Sequence, residues 1–254
     1  MILDRFKLDN KIALVTGAGR GLGQAITIAL AEAGADVAGL GVHSLDETAA
    51  RVHALGRRFL PLNVDLRDAH AETMAEVVAQ VITGLGSLDI LVNNAGIIRR
   101  ALVLEFSEKD WDDVMQINLK AVFLLSQAAA RAMVKQGSGK IINIASVLSF
   151  QGGIRVPSYT ASKSGLAGIT RQMANELAAS GLNINAIAPG YMITDNTTAL
   201  RADVERYATI LSRIPAGRWG EPPDLMGAVV FLASAASDYM NGAIVPVDGG
   251  WLTR

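Results

Sequence analysis

The sequence has no cysteine. Disulfides, thiolate catalysis and Cys-based metal sites are therefore excluded, and a reducing compartment is suited. Proline is scarce, at seven residues, and no Pro/Ser-rich stretch, charge run or short repeat marks a linker or a second domain. Charge of one sign is lacking too. The 23 basic and 24 acidic residues leave a formal net charge of −1, which favours neither nucleic acid nor an anionic membrane as a partner. Histidines are few and dispersed (His43, His53, His70), so no metal-ligand spacing is present and no metal is expected. No stretch reaches the ~18 uncharged apolar residues of a membrane span. The opening segment MILDRFKLDNK carries charges throughout and lacks the apolar core of a signal peptide. The expectation is a soluble, cytoplasmic protein.

What is present is apolar and rhythmic. Half of the 254 residues are hydrophobic, and 25 are glycine. Short apolar runs at 12–15, 37–40, 59–64, 88–92, 141–145, 184–188 and 243–247 alternate with helix-period segments at 22–33, 45–55, 69–83, 111–135, 158–180 and 223–234. Near-continuous apolar strands are what a parallel sheet covered on both faces requires. The alternation predicts an α/β fold, a single-domain doubly wound parallel sheet of Rossmann type. It should have about seven strands, with helices on both faces. Residues 1–254 read as one domain, with a small substrate lobe or lid around 191–220.

The first strand runs into Thr16-Gly17-Ala18-Gly19-Arg20-Gly21-Leu22-Gly23, and a helix pattern starts at once. Glycine admits positive φ and lets a backbone approach a ligand closely. The helix N-terminus behind it offers free N–H groups and a positive dipole end to a diphosphate. A plain βα turn could use the same glycines, so the turn alone is a weak signal.

A second pattern lies downstream. The run at 141–145 ends at Ser146, and thirteen residues later comes Tyr159-Thr160-Ala161-Ser162-Lys163. Residues i and i+4 share a helix face, which sets the Lys163 ammonium beside the Tyr159 ring. A nearby cation favours the phenolate and should lower the tyrosine pKa from roughly 10. Tyr159 then becomes a general acid/base for a carbinol or carbonyl oxygen, and Ser146 can donate a hydrogen bond to the same oxygen. Strand C-terminal ends are where open α/β sheets bind ligands.

Jointly, TGAGRGLG at 16–23, NVDL at 63–66, NNAG at 93–96, Asn118, Ser146, YTASK at 159–163, PGYMIT at 189–194 and VDGG at 247–250 resemble the short-chain dehydrogenase/reductase family over nearly the whole chain. The resemblance implies a catalytic tetrad of Asn118, Ser146, Tyr159 and Lys163. It implies a nicotinamide dinucleotide held by Gly17, Arg20, Gly21, Leu22 and Gly23, with Asp65 and Leu66 flanking the adenine. Asn93, Ala95 and Gly96 should lie along the adenosine ribose and diphosphate. Tyr159, Lys163, Pro189, Gly190, Ile193 and Thr194 should meet the nicotinamide end, the carboxamide reaching a backbone group near Ile193. In this family Lys also binds the nicotinamide ribose, and Asn helps hold a water-linked proton path to it.

The pattern departs from NAD-preferring members at the end of the second strand. The place of the usual acid, which binds the ribose 2′-OH, reads Leu40-Gly41-Val42-His43. Arg20 could meet a 2′-phosphate, but it reads equally as a solvated turn residue. Longer segments, including 101–123, 145–165 and 213–227, resemble the sugar-acid dehydrogenases of bacterial uronate (pectin-type) breakdown. That resemblance implies NAD, with NADP left open, a keto-deoxy sugar acid as substrate, and a homotetramer. Arg99, Gln151, Arg155 and Trp219 are candidate substrate contacts, with Arg100 and Asn196 beside them, and each reads equally as an ordinary surface residue. Arg155, between Ser146 and Tyr159, is the candidate for the substrate carboxylate. Another carbonyl substrate on the same scaffold, such as a 3-oxoacyl carrier-protein or glucose, stays open. So does a non-catalytic nucleotide sensor, which would not need the tetrad.

Overall fold

The computed structural model describes residues 1–253. Seven strands form one parallel sheet in the order β3-β2-β1-β4-β5-β6-β7. They are β1 (Ile12–Thr16), β2 (Asp36–Gly41), β3 (Phe59–Asn63), β4 (Ile90–Asn93), β5 (Gly139–Ile144), β6 (Leu182–Pro189) and β7 (Ile244–Val247). The α/β, doubly wound architecture expected from the sequence is the one observed. Strand prolines sit where a missing N–H is harmless: Pro61 is on edge strand β3, Pro246 on edge strand β7, and Pro189 ends β6.

Side chains alternate between two buried layers. Leu14, Leu91 and Ile141 face one apolar cluster with Val77, Val81, Leu125 and Met133. Ala13, Val15, Val92 and Ile142 face the other, with Ile26, Leu30 and Val229. The first layer comes from α3 (Ala71–Leu85), α5 (Ala121–Gln136) and α6 (Pro157–Leu177). The second comes from α1 (Gly21–Glu32), with α2 (Asp46–Ala54) supplying Val52 and α9 (Met226–Ala233) supplying Val229 and Leu232. Central strands packed on both faces need apolar residues at successive positions, which is why they read as unbroken runs.

The predicted helix at 111–135 is longer and less regular than expected. It is α4 (Glu108–Met115), one π turn (Gln116–Lys120) and then α5. By length and composition this continuous helix could cross a membrane. However, 56% of its most apolar window is buried inside the fold, as in a core helix. The stretch 191–220 carries two short helices, α7 (Thr198–Ala202) and α8 (Val204–Leu211). Its ends meet, because Ile193 N–H donates to Gly220 C=O at 2.7 Å and Gly220 N–H to Tyr191 C=O at 2.9 Å. Beneath it lies an aromatic cluster. Tyr207 stacks on Trp219 at 5.5 Å, and Tyr191 contacts both Trp219 and the near-terminal Trp251. Pairs of this geometry stabilise beyond their buried area.

Candidate active site

The strand order reverses direction between β1 and β4, and a cavity of about 970 Å³ opens outside the carboxyl ends of these strands. One end of it is the glycine turn. Gly17 and Gly21 have φ of 70° and 55°, and a Cβ on Gly23 would lie 2.0 Å from the Gly17 carbonyl oxygen. Side chains are thus disfavoured at these three positions, and the first amides of the twelve-residue α1 are left facing the cavity. Thr16 Oγ1 accepts from the backbone N–H groups of Asn94 and Ala95, each at 3.0 Å, which locks the ends of β1 and β4 together. This cradle fits a dinucleotide diphosphate. Of the residues expected there, Gly17, Arg20, Gly21, Leu22, Gly23, Asp65, Leu66, Ala95, Gly96, Pro189, Gly190 and Thr194 line the cavity.

Two residues do not lie where the resemblance put them. Asn93 is buried below the cavity, where its Nδ2 donates to Ser126 Oγ at 2.9 Å and to Asn143 Oδ1 at 2.8 Å. The neighbouring Asn94 lines the cavity instead, because Asn93 is the last residue of β4. Ile193 lies outside the lining, and its N–H is already given to Gly220. The end of β2, where the sequence lacks the usual acid, does border the cavity through Gly41, Val42 and His43. Ser44 lines it as well and was missed, because it carries no motif of its own and only the sheet order brings it beside the glycine turn.

Ser146, Tyr159 and Lys163 line the opposite end of the cavity. Ser146 follows β5, and its Oγ accepts the Leu148 N–H at 3.1 Å, which fixes the hydroxyl at the strand exit. Pro157 at the start of α6 sets the first turn of the helix that carries Tyr159 and Lys163. Lys163 Nζ is 5.6 Å from the Tyr159 ring centroid and donates to the Ile144 carbonyl at 2.6 Å. Lys163 is almost fully buried, and burial lowers its pKa to about 8.

The expected depression of the Tyr159 pKa is not found. Burial pushes the phenol up from its ordinary value, and this outweighs the opposing pull of hydrogen bonding with Ser146 and of the Arg100 charge. Lys163 is itself desolvated, which disfavours its charged form, so the ammonium is lost before the pH at which the phenol would ionise. Asn118 is fully buried in the π turn and does not line the cavity. Its Oδ1 accepts the Ile97 N–H and its Nδ2 donates to the Ile97 carbonyl, both at 2.9 Å. It therefore pins the loop after β4 to the long helix.

The four expected substrate contacts separate. Arg155 lines the cavity, with its backbone at φ 65°. Arg99, Gln151 and Trp219 do not line it. Arg99 is turned away to Asp110 at 3.2 Å and Asp113 at 4.0 Å, and Trp219 is buried in the aromatic cluster. Arg100 and Asn196 do line it, as does Arg206 from α8, which no sequence pattern indicated. Arg20 pairs with Asp195 at 2.8 Å, so the glycine turn reaches the 191–220 stretch directly.

Comparison with known proteins agrees with this geometry. The family model described as short chain dehydrogenase matches residues 11–205. The chain is 60% identical to the 2-dehydro-3-deoxy-D-gluconate 5-dehydrogenase of Escherichia coli (strain K12), with all of both chains covered. Among solved structures, it resembles one from Agrobacterium tumefaciens, provisionally named a 2-deoxy-D-gluconate 3-dehydrogenase and holding NADP. The identity is 55%, the TM-score 0.91, and the coverage 98% of this chain and 99% of that one. It also resembles a gluconate 5-dehydrogenase from Burkholderia cenocepacia in complex with NADP and tartrate, at 39% identity and TM-score 0.94 over the full length of both chains.

Proposed function

The chain belongs to the short chain dehydrogenase family, and from that premise we propose that it interconverts 2-dehydro-3-deoxy-D-gluconate and 3-deoxy-D-glycero-2,5-hexodiulosonate with a nicotinamide dinucleotide. The observation that carries this reading is a single cavity with the diphosphate cradle at one end and Ser146, Tyr159 and Lys163 at the other. The full-length identity to the Escherichia coli enzyme supports the sugar acid as substrate.

The dinucleotide, when bound, supplies or takes the hydride at the substrate carbon. The chain's part is orientation and proton transfer. Ser146 donates a hydrogen bond to the reacting oxygen. Tyr159, its pKa raised by burial, is protonated at neutral pH and gives its proton to that oxygen as a carbonyl is reduced. Lys163, at about 8, titrates close to neutrality and is the group placed to return a proton towards the phenol. Asn118 holds the loop after β4 that walls the cavity.

For cofactor choice, the end of β2 offers no carboxylate. Gly41, Val42, His43 and Ser44 line the adenosine end, so NAD gains no carboxylate acceptor for its 2′-OH from the end of β2. NAD remains the reading from resemblance, and the pocket admits NADP beside it. The same resemblance supports a cytoplasmic homotetramer in uronate breakdown. Exposed Trp111 and Phe123 on the long helix supply apolar surface for assembly, which light scattering would test.

The test is initial rates of NADH and NADPH oxidation with 3-deoxy-D-glycero-2,5-hexodiulosonate, beside acetoacetyl-thioester and gluconolactone controls. Turnover confined to the diketo acid supports the assignment. Turnover only with a control keeps the dehydrogenase class and discards the substrate.

A further inference from the structure

Three arginines line the cavity and form no ion pair among the described residues: Arg100, Arg155 and Arg206. The carboxylates around them are engaged elsewhere. Asp65 is paired with Arg67 at 2.7 Å and Asp195 with Arg20 at 2.8 Å, and Asp203 caps α8 through the Arg206 N–H. The cavity therefore carries uncompensated positive charge beside Ser146 and Tyr159.

The three arginines are not equivalent. Arg206 sits on α8 and acts on the Tyr191 phenol. Arg155 is exposed, as Arg100 is, and its carbonyl takes the Ala101 N–H at 3.2 Å, but no hydrogen bond fixes its guanidinium among the described residues. Arg100 is fixed from the other side as well, because its guanidinium donates to the Asn196 carbonyl at 2.8 Å. One edge of its fork is spent on the 191–220 stretch, and the remaining donors have no partner among the described residues. Of the three, Arg100 is the one whose charge acts on the Tyr159 phenol. Arg100 stays exposed, but partial desolvation at the cavity wall lowers its pKa from the ordinary arginine value.

We propose that Arg100 receives the substrate carboxylate and sets the preference of this site for acids, in place of Arg155 or Arg99. An anionic ligand restores the compensation the guanidinium lacks, and a planar fork suits a carboxylate. Asn196 holds the fork, so the 191–220 stretch orients the anchor. The inference rests on the sugar-acid reading above.

The test compares reduction of the diketo acid with that of its primary amide by the same holoenzyme, with NADH affinity followed by fluorescence titration. Arg100→Met should raise KM for the acid about 10- to 100-fold. The amide KM and the NADH affinity should stay within about twofold, which a general disturbance of the fold would not allow. Arg100→Lys, which keeps the charge and loses the fork, should recover part of the loss. Arg100→Gln is the second variant if methionine compromises folding. Equal weakening of acid and amide overturns the proposal. So does a collapse of the acid-to-amide ratio in Arg155→Met while Arg100→Met keeps it. A wild-type enzyme that does not distinguish acid from amide overturns the sugar-acid reading and this proposal together, whereas discrimination unchanged by Arg100→Met removes this proposal alone.

Discussion

The two ends of the sheet treat charge in opposite ways. At the amino ends of the strands Asp89 and Lys140 are both answered by partners. Asp89, just before β4, accepts from the Ile12 N–H at 3.0 Å, Lys11 Nζ at 3.1 Å, Ser87 Oγ at 2.8 Å and Gln136 Nε2 at 3.2 Å. Lys140, at the start of β5, reaches Asn183 and Asp238, each at 2.8 Å. At the carboxyl ends, Lys163 is buried on one carbonyl, Arg100 has no counter-ion among the described residues, and Arg155 holds a left-handed φ of 65°. Buried charge and left-handed backbone in a non-glycine residue both cost free energy. Stability is therefore gathered at one end of the sheet and spent at the other, where chemistry needs displaced pKa values and unpaired donors.

Substitutions at the two ends should therefore separate activity from stability. The largest effect belongs to Tyr159→Phe. Removing the acid/base should lower kcat by about 10³-fold while NADH affinity and the melting temperature hold, and a residual rate within tenfold of wild type would assign the proton transfer elsewhere. At the opposite end, Asp89→Ala strands several donors at once. It should cost about 2–4 kcal/mol in urea denaturation and leave kcat/KM untouched; a comparable loss of activity would break the separation.

Lys163→Met tests the cost of the site from the other direction. Burial holds Lys163 near 8 in the fold against 10.5 ordinarily, so between those pH values the unfolded chain binds the additional proton. The contribution of Lys163 to stability therefore rises from pH 8 to pH 10.5, and below pH 8 its full penalty is present. The methionine variant should be inactive. It should also be more stable than wild type at pH 7, by a few kcal/mol at most, with the difference shrinking towards pH 10. A difference that does not vary with pH would mean that Lys163 is not held in a depressed state. The smallest effect is that of Arg155→Gly, which relieves the left-handed backbone and should stabilise by about 1 kcal/mol, read from the denaturation midpoint. A loss of stability instead would show that the backbone there is unstrained.

Much of this molecule is legible in one dimension. Unbroken apolar runs such as 141–145 announce a central strand packed on both faces, and the seven runs correspond to the seven observed strands. The glycine turn and the Tyr159/Lys163 spacing are local, because a βα turn and one helical turn are geometries that a few adjacent residues set by themselves. The π turn around Asn118 was not legible, since nothing in Gln116-Ile117-Asn118-Leu119-Lys120 forbids an ordinary helix and the Ile97 backbone is what holds the side chain.

The same limit separates the arginines. Arg99 and Arg100 are neighbours in a loop, and the sequence treats them alike. The helix that begins at Glu108 brings Asp110 and Asp113 to Arg99, while the stretch after β6 brings the Asn196 carbonyl to Arg100. The sequence by itself determined the strand pattern, the glycine turn and the placing of Tyr159 and Lys163 one helical turn apart, because each depends on residues close together in the chain. Tertiary structure alone decided which cation stays unpaired, which way the Tyr159 pKa moves and which residues face the cavity, because burial and long-range partners exist only once the sheet is assembled.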